Sequence, residues 1–313
     1  MLKTIVSICD LEKNYGPKRA VAGISFTITE GEILGLLGPN GAGKSTTINI
    51  LSTVLSPDQG DVQIAGHDLR KDPIAIKQKI GIVPQDLAIF EEITAEQNVR
   101  FFAGLYKLKG DELDQRVREA LELVGLEDRK KEKPKTFSGG MKRRLNIACA
   151  IAHQPKLIIM DEPTVGIDPQ SRNHILESIK KLRKKGATII YSTHYMEEVE
   201  AIADRIIIMN EGVIIAEGTK EELIQSAGNE TIYHFELNNS QNLDEQRISQ
   251  IPEITYVQLT NNQLTIKTEK SKSILHVIIA TLFDNGCTFE KMTSKETSLE
   301  TVFLDLTGKS LRD

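Results

Sequence analysis

The period of the apolar positions changes repeatedly along the chain, and each change marks an element. Residues 4–8 and 24–28 are rich in β-branched side chains and predict short strands, with a turn at Glu30-Gly31. Residues 33–37 are an unbroken apolar run, which predicts a buried strand. A helix is predicted over 44–54. Strands follow over 61–65, 80–83, 157–160 and 188–191, the run 80–83 ending at Pro84-Gln85. Helical spacing covers 73–79, 94–106, 111–124, 139–152, 170–185 and 195–203. A hairpin of 205–209 and 213–216 turns at Asn210-Glu211-Gly212. Strands alternating with helices predict an α/β fold around a largely parallel sheet.

A second pattern begins beyond Ser226-Ala227-Gly228-Asn229, which divides an expected domain 1–225 from an accessory domain 226–313. Strands are predicted over 231–237, 254–259, 263–268 and 288–293, and helices over 243–250, 271–283 and 299–306. Asn261-Asn262 is a hairpin signal. Thr297-x-x-Glu300 has the form of a capping box. Leu299, Val302, Phe303 and Leu306 fall on one face of the helix behind it. The order βαββαβ(α) predicts a small α+β ferredoxin-like domain.

Composition narrows the classes. The length of 313 residues accommodates one large domain or two ordinary ones, and 40% hydrophobic residues support a real core. A net charge of −5 argues against nucleic acid as the main partner. No apolar run approaches the roughly 20 residues of a membrane span, and the start has no long apolar signal segment. Cys9, Cys149 and Cys287 are too few and too scattered for a disulfide framework or a zinc site, so a cytosolic setting is expected.

The chemistry starts at Gly38-Pro39-Asn40-Gly41-Ala42-Gly43-Lys44-Ser45-Thr46, which fits the phosphate-loop pattern G-x-x-x-x-G-K-[ST]. The predicted strand before it and helix after it are the context this loop requires. Glycines let the backbone approach a triphosphate, and the loop N–H groups face the anion at the helix start. Lys44 is expected to reach the β- and γ-phosphates and Ser45 to hold Mg²⁺. A second element, Leu157-Ile158-Ile159-Met160-Asp161-Glu162, places two carboxylates at the C-terminal end of a buried strand, the edge where open α/β sheets bind ligands. Asp161 is expected to bind Mg²⁺, and Glu162 to orient or deprotonate the attacking water.

With Phe137-Ser138-Gly139-Gly140-Met141 between those elements, residues 1 to about 220 resemble the nucleotide-binding subunit of ABC transporters. The resemblance implies a P-loop ABC domain: a mixed sheet core, an antiparallel β-subdomain and a helical subdomain at about 87–152. Ser138 and the glycine amides cap a helix expected to begin near Met141, a second anion site. In the family that site binds the γ-phosphate held by another copy, so two cassettes sandwich two ATPs. Gln85 resembles the glutamine that senses Mg²⁺ and the attacking water. Gly166-Ile167-Asp168 resembles the loop that contacts the partner cassette, His194 the switch histidine at the γ-phosphate, and Tyr15 the aromatic that stacks on adenine. Met141, Phe137 and Val165 depart from the usual residues, and none of them removes a phosphate ligand.

The segment 298–308, with Val124-Gly125-Leu126 and Asp161 to Gly166, resembles cassettes of type-2 ABC exporters, including the daunorubicin-resistance group. Such cassettes pair with separate membrane subunits, here expected to dock on residues 87–93, and place the chain on the inner face of the cell membrane. The expected function is an ATPase powering export of a substrate such as a drug or antibiotic. Two alternatives stand beside it. A soluble ABC ATPase acting on ribosomes or nucleic acid would need a second cassette, a basic linker or long insertions, whereas the loop and signature here are about 95 residues apart. An importer cassette would carry an all-β tail, which the helices predicted after 271 oppose.

Overall fold

Strand β3 (Ile33–Leu37) lies inside a six-stranded sheet and is buried at every position. The sheet runs in the order β10 (Val213–Gly218), β9 (Arg205–Asn210), β3, β8 (Thr188–Thr193), β7 (Leu157–Asp161) and β6 (Ile80–Val83). All neighbours are parallel except β9 and β10, which form the expected hairpin. The computed structural model describes residues 3–226, 230–240, 243, 245–269, 274–296 and 298–307, and divides the chain into two compact units, Met1–Thr219 and Lys220–Gly308.

Both faces of this sheet are covered, which explains its unbroken apolar runs. Successive strand residues point to opposite faces. Ile158, Met160, Ile189 and Tyr191 enter one core with α3 (Ala95–Leu105), α4 (Gly110–Leu123), α5 (Gly139–Ile151) and α6 (Pro169–Lys184). Leu157, Ile159, Ile190 and Ile207 enter the other. There they meet α1 (Lys44–Leu51) and a four-stranded antiparallel sheet of β2 (Lys18–Thr29), β1 (Thr4–Tyr15), β4 (Gln59–Ile64) and β5 (His67–Asp68). The short α2 (Pro73–Lys77) precedes β6, and α7 (Met196–Ile202) follows β8.

Several boundaries differ from the sequence expectation. β1 and β2 run 12 residues each, because they pair along their whole length into a hairpin whose turn end is polar. α1 stops at Leu51, since Thr53 takes a left-handed φ of 60° and Val54 is exposed. β4 starts at Gln59 and ends before Ala65, which also has positive φ. α3 opens with a capping box in which Thr94 and Gln97 exchange hydrogen bonds.

The second unit holds α8 (Lys220–Ser226), β11 (Glu230–Leu237), α9 (Glu245–Ser249), β12 (Ile254–Thr260), β13 (Gln263–Glu269), α10 (Leu275–Asp284), β14 (Phe289–Glu296) and α11 (Leu299–Thr307). Its antiparallel sheet has the order β12-β13-β11-β14, the interleaved order of a split βαβ fold. Phe235, Leu264, Ile266, Ile278 and Leu282 form its core. The expected boundary at 225/226 falls at the end of α8, and Ala227, Gly228 and Asn229 lie outside the described residues. Thr297 does too, while Ser298 Oγ accepts a hydrogen bond from Thr301 N at the start of α11. Leu299, Val302 and Phe303 are buried as the pattern implies, but Leu306 stands exposed.

Candidate nucleotide site

The turn from β3 into α1 carries residues 38–46 at the C-terminal edge of the sheet. Gly41 and Gly43 hold left-handed φ values of 83° and 101°. A Cβ on Gly43 would stand 2.5 Å from the Ala20 carbonyl oxygen, so this position also excludes side chains by contact. A Cβ on Gly38 would collide with the Met209 carbonyl. Gly43 is the N-cap of α1, and no side chain caps that helix. Its first N–H groups therefore have no competing partner for an anion.

Lys44 is buried, and its ammonium donates to Gly38 O at 2.8 Å and Pro39 O at 3.1 Å. Glu162 Oε1 lies 3.8 Å from the same nitrogen. Burial pulls the Lys44 pKa below its ordinary value, and Glu162 and Asp161 pull the other way. Asp161 ends β7, and burial pushes its carboxyl above the usual range, opposed by the hydroxyls of Ser192 and Ser45 and by Lys44. Its Oδ1 is buried with no hydrogen-bond partner. Glu162, also buried, leaves the strand with φ 45°, a left-handed backbone that costs a non-glycine residue about 1–3 kcal/mol. Its N–H donates to Ser192 O at 3.0 Å, which fixes the turn, and its Oε1 lies 3.3 Å from His194 Nδ1.

A cavity of about 240 Å³ opens over this loop. Tyr15, Asn40, Gly41, Ala42, Gly43, Lys44, Ser45, Thr46, Gln85 and Glu162 line it, so ten of the expected site residues converge there. Gly38 and Pro39 contribute carbonyls to Lys44, and Asp161 and His194 flank Glu162. Ser138, Gly139 and Gly140 are not among the lining residues. A larger cavity, about 310 Å³, is lined by Arg116, Leu123, Ile151, Pro155, Leu182 and Lys185 among others. It contains none of the phosphate-loop residues and is not the nucleotide site.

The Ser138 turn is built differently. α5 begins at Gly139, where the helical spacing of 139–152 put it and two residues before the Met141 start that the capping argument gave, because Ser138 sits in extended backbone and its Oγ accepts the Met141 N–H at 3.3 Å. Gly140 is buried against α6: a Cβ there would overlap the Ser171 side chain. Ser138 and Gly139 are exposed. Further along α5, Arg143 donates to Pro84 O at 2.8 Å and also to Gln85 O, and Asn146 Oδ1 accepts from Ala88 N at 3.2 Å. The helix that starts at Ser138 thus holds the segment that presents Gln85.

Sequence reasoning missed four residues. Lys18 and Ala20 line the cavity because β2 returns beside Tyr15. Arg143 and Glu198 are buried charges, and their signal was a charged residue on an otherwise apolar helix face.

Residues 21–165 match the ABC transporter family model. The chain is 44% identical over 309 residues to the linearmycin resistance ATP-binding protein LnrL of Bacillus subtilis (strain 168), covering 97% of this chain and 98% of the relative. It is 34% identical over 315 residues to the daunorubicin resistance ATP-binding protein DrrA3 of Streptomyces coeruleorubidus, covering 100% and 98%. The solved dimeric structure of an ATP-binding cassette in a post-hydrolysis state, bound to ADP and Pi, superimposes with a TM-score of 0.62 at 30% identity, over 69% of this chain and 98% of that one. Likeness at this level over nearly the whole chain shows the family: the chain belongs to the ABC transporter family, as an ATP-hydrolysing subunit.

Proposed function

We propose that this chain powers export of a drug or antibiotic through separately encoded membrane subunits, working as an ATP-sandwich dimer on the inner face of the cell membrane. The carrying observation is that likeness to resistance proteins extends over both units rather than the ATP-binding unit alone. Among the described residues no helix is long and apolar enough to cross a membrane, so in this reading the pathway belongs to partner chains. Leu87 and Phe90 are exposed, and Phe90 packs edge-to-face on the exposed Phe101 at 5.1 Å. An exposed aromatic patch of this kind favours a protein contact, and the membrane subunit is its proposed occupant.

At the nucleotide, Tyr15 stacks on the base and the loop amides with Lys44 neutralise the phosphates. Ser45, Gln85 and Asp161 would hold Mg²⁺, and the unpartnered buried Oδ1 of Asp161 suits a hard cation. Mg²⁺ bound there would neutralise charge developing on the β- and γ-phosphate oxygens. Glu162 holds the attacking water and takes its proton at a carboxylate oxygen, while His194 fixes the Glu162 side chain and meets the γ-phosphate. The exposed Ser138-Gly139 turn is offered to the nucleotide of a second copy, so each site is complete only in the dimer.

A pull-down from solubilised membranes with tagged Glu162→Gln chain and ATP-Mg²⁺ tests this reading. A polytopic membrane protein should co-purify and be lost when Leu87 and Phe90 are changed to Ser. Recovery of ribosomes or nucleic-acid-bound proteins without any membrane protein would instead favour a soluble ATPase.

A further inference from the structure

Glu198 is 1% exposed on α7, between the buried Met196 and Val199. A buried carboxylate is costly unless its oxygens are satisfied. Here both are. Oε1 accepts the Thr164 hydroxyl at 2.6 Å and lies 3.4 Å from Arg172 Nε. Oε2 accepts the Tyr191 hydroxyl at 2.9 Å and the Thr193 hydroxyl at 2.8 Å.

The partners are informative by position. Thr164 lies two residues beyond Glu162 on the segment leaving β7. Thr193 ends β8 immediately before His194, and its Oγ1 also accepts the Tyr195 N–H at 3.0 Å. Arg172 is on α6, whose N-cap is Asp168, and its guanidinium stacks over the Tyr195 ring at 4.5 Å. One carboxylate therefore joins the turn carrying Glu162, the turn carrying His194 and the helix that follows Gly166-Ile167-Asp168. Packing alone does not require this, since apolar side chains of similar volume in place of the carboxylate and its polar partners together would fill the same space at no desolvation cost. A buried carboxylate whose oxygens are both satisfied in this way favours one arrangement of the groups it joins.

We propose that Glu198 is a positioning residue that sets the Glu162–His194 geometry and ties it to the loop facing the second copy. It does not line the nucleotide cavity and is not itself catalytic. The inference rests on the roles proposed above for Glu162 and His194.

The test uses the full chain carrying Glu198→Gln. This change keeps the shape, turns an amide N–H₂ toward hydroxyl donors and removes the charge facing Arg172. The readouts are single-turnover hydrolysis, ATP affinity and thermal midpoint, in wild-type and Glu162→Gln backgrounds. Misplacing a reacting group slightly can cost about 100-fold, so hydrolysis should fall about 10- to 100-fold with ATP affinity unchanged within about twofold. In the Glu162→Gln background the same change should cost little more, because residues acting as a unit are non-additive. A wild-type rate in Glu198→Gln, or a loss that multiplies fully with that of Glu162→Gln, would overturn the proposal. If Glu198→Gln does not fold, Thr164→Val and Thr193→Val carry the test. Each should lower the rate by about tenfold at unchanged affinity, and wild-type rates in both overturn it. A wild-type rate in Glu162→Gln alone rejects the underlying site reading instead.

Discussion

The helix starts of α1 and α5 both carry glycines, and they are built to opposite specifications. At α1 the N-cap is a left-handed glycine with no side-chain cap, over a buried lysine and two buried carboxylates. At α5 the N-cap is a serine that satisfies one amide itself, and Ser138 and Gly139 stand exposed. The first start is tuned to hold a highly charged ligand in place, the second to remain ordered without one. On the function proposed above, the contrast teaches how one cassette would divide its labour: one end to keep the nucleotide, the other preformed for a nucleotide held by a second copy.

The largest expected effect lies at the first start. Lys44→Ala removes the only ammonium among the residues lining the nucleotide cavity other than Lys18. It should lower the hydrolysis rate by about 100- to 1000-fold, read by phosphate release, with weakened ATP binding by calorimetry. Wild-type turnover would dissolve the contrast.

Next is an acid effect confined to the far end of α5. His153 follows that helix, its Nε2 lies 3.0 Å from Ile80 O, and its ring stacks on Tyr106. Burial pushes its pKa down to about 4. Above the ordinary imidazole value both folded and unfolded chains are neutral there. As pH falls from about 6.5 to about 4, the unfolded chain gains a proton that the folded one refuses, so stability falls, by up to about 3 kcal/mol. Denaturant titrations across this window should show that slope, and His153→Gln should flatten it.

Smaller effects separate the two glycines of the α5 turn. Gly140→Ala overlaps Ser171 and should cost about 1–3 kcal/mol, partly recovered by Ser171→Gly. Gly139→Ala meets nothing closer than 3.9 Å and should leave the thermal midpoint nearly unchanged while lowering ATPase activity. Equal destabilisation by both would show that the turn is purely structural. Ser138→Ala should cost about 1 kcal/mol as a lost N-cap, seen as a modest drop in thermal midpoint.

The phosphate loop and the Asp161-Glu162 strand end were legible in the sequence because local spacing alone determines them. A buried strand, a turn of fixed length and a helix place Lys44 and the carboxylates on one edge regardless of remote context. The order βαββαβ was legible for the same reason, since alternating and helical periods fix the element types. Strand length in β1 and β2 was not, because pairing rather than hydropathy extends their polar ends. Nor was the roof of Lys18 and Ala20, or the reason for Gly140, each of which depends on a chain segment distant in sequence. Glu198 was hidden most deeply. Its partners come from positions 164, 172, 191 and 193, and only the fold brings them together.

The central claim is that one cassette holds ATP and a second copy completes the site. Sedimentation of the Glu162→Gln chain with ATP-Mg²⁺, with ADP-Mg²⁺ and without nucleotide tests it most directly. The account predicts a dimer only with ATP, lost when Ser138 and Gly139 are replaced by bulky residues that leave ATP binding intact. A chain that stays monomeric while saturated with ATP would contradict it.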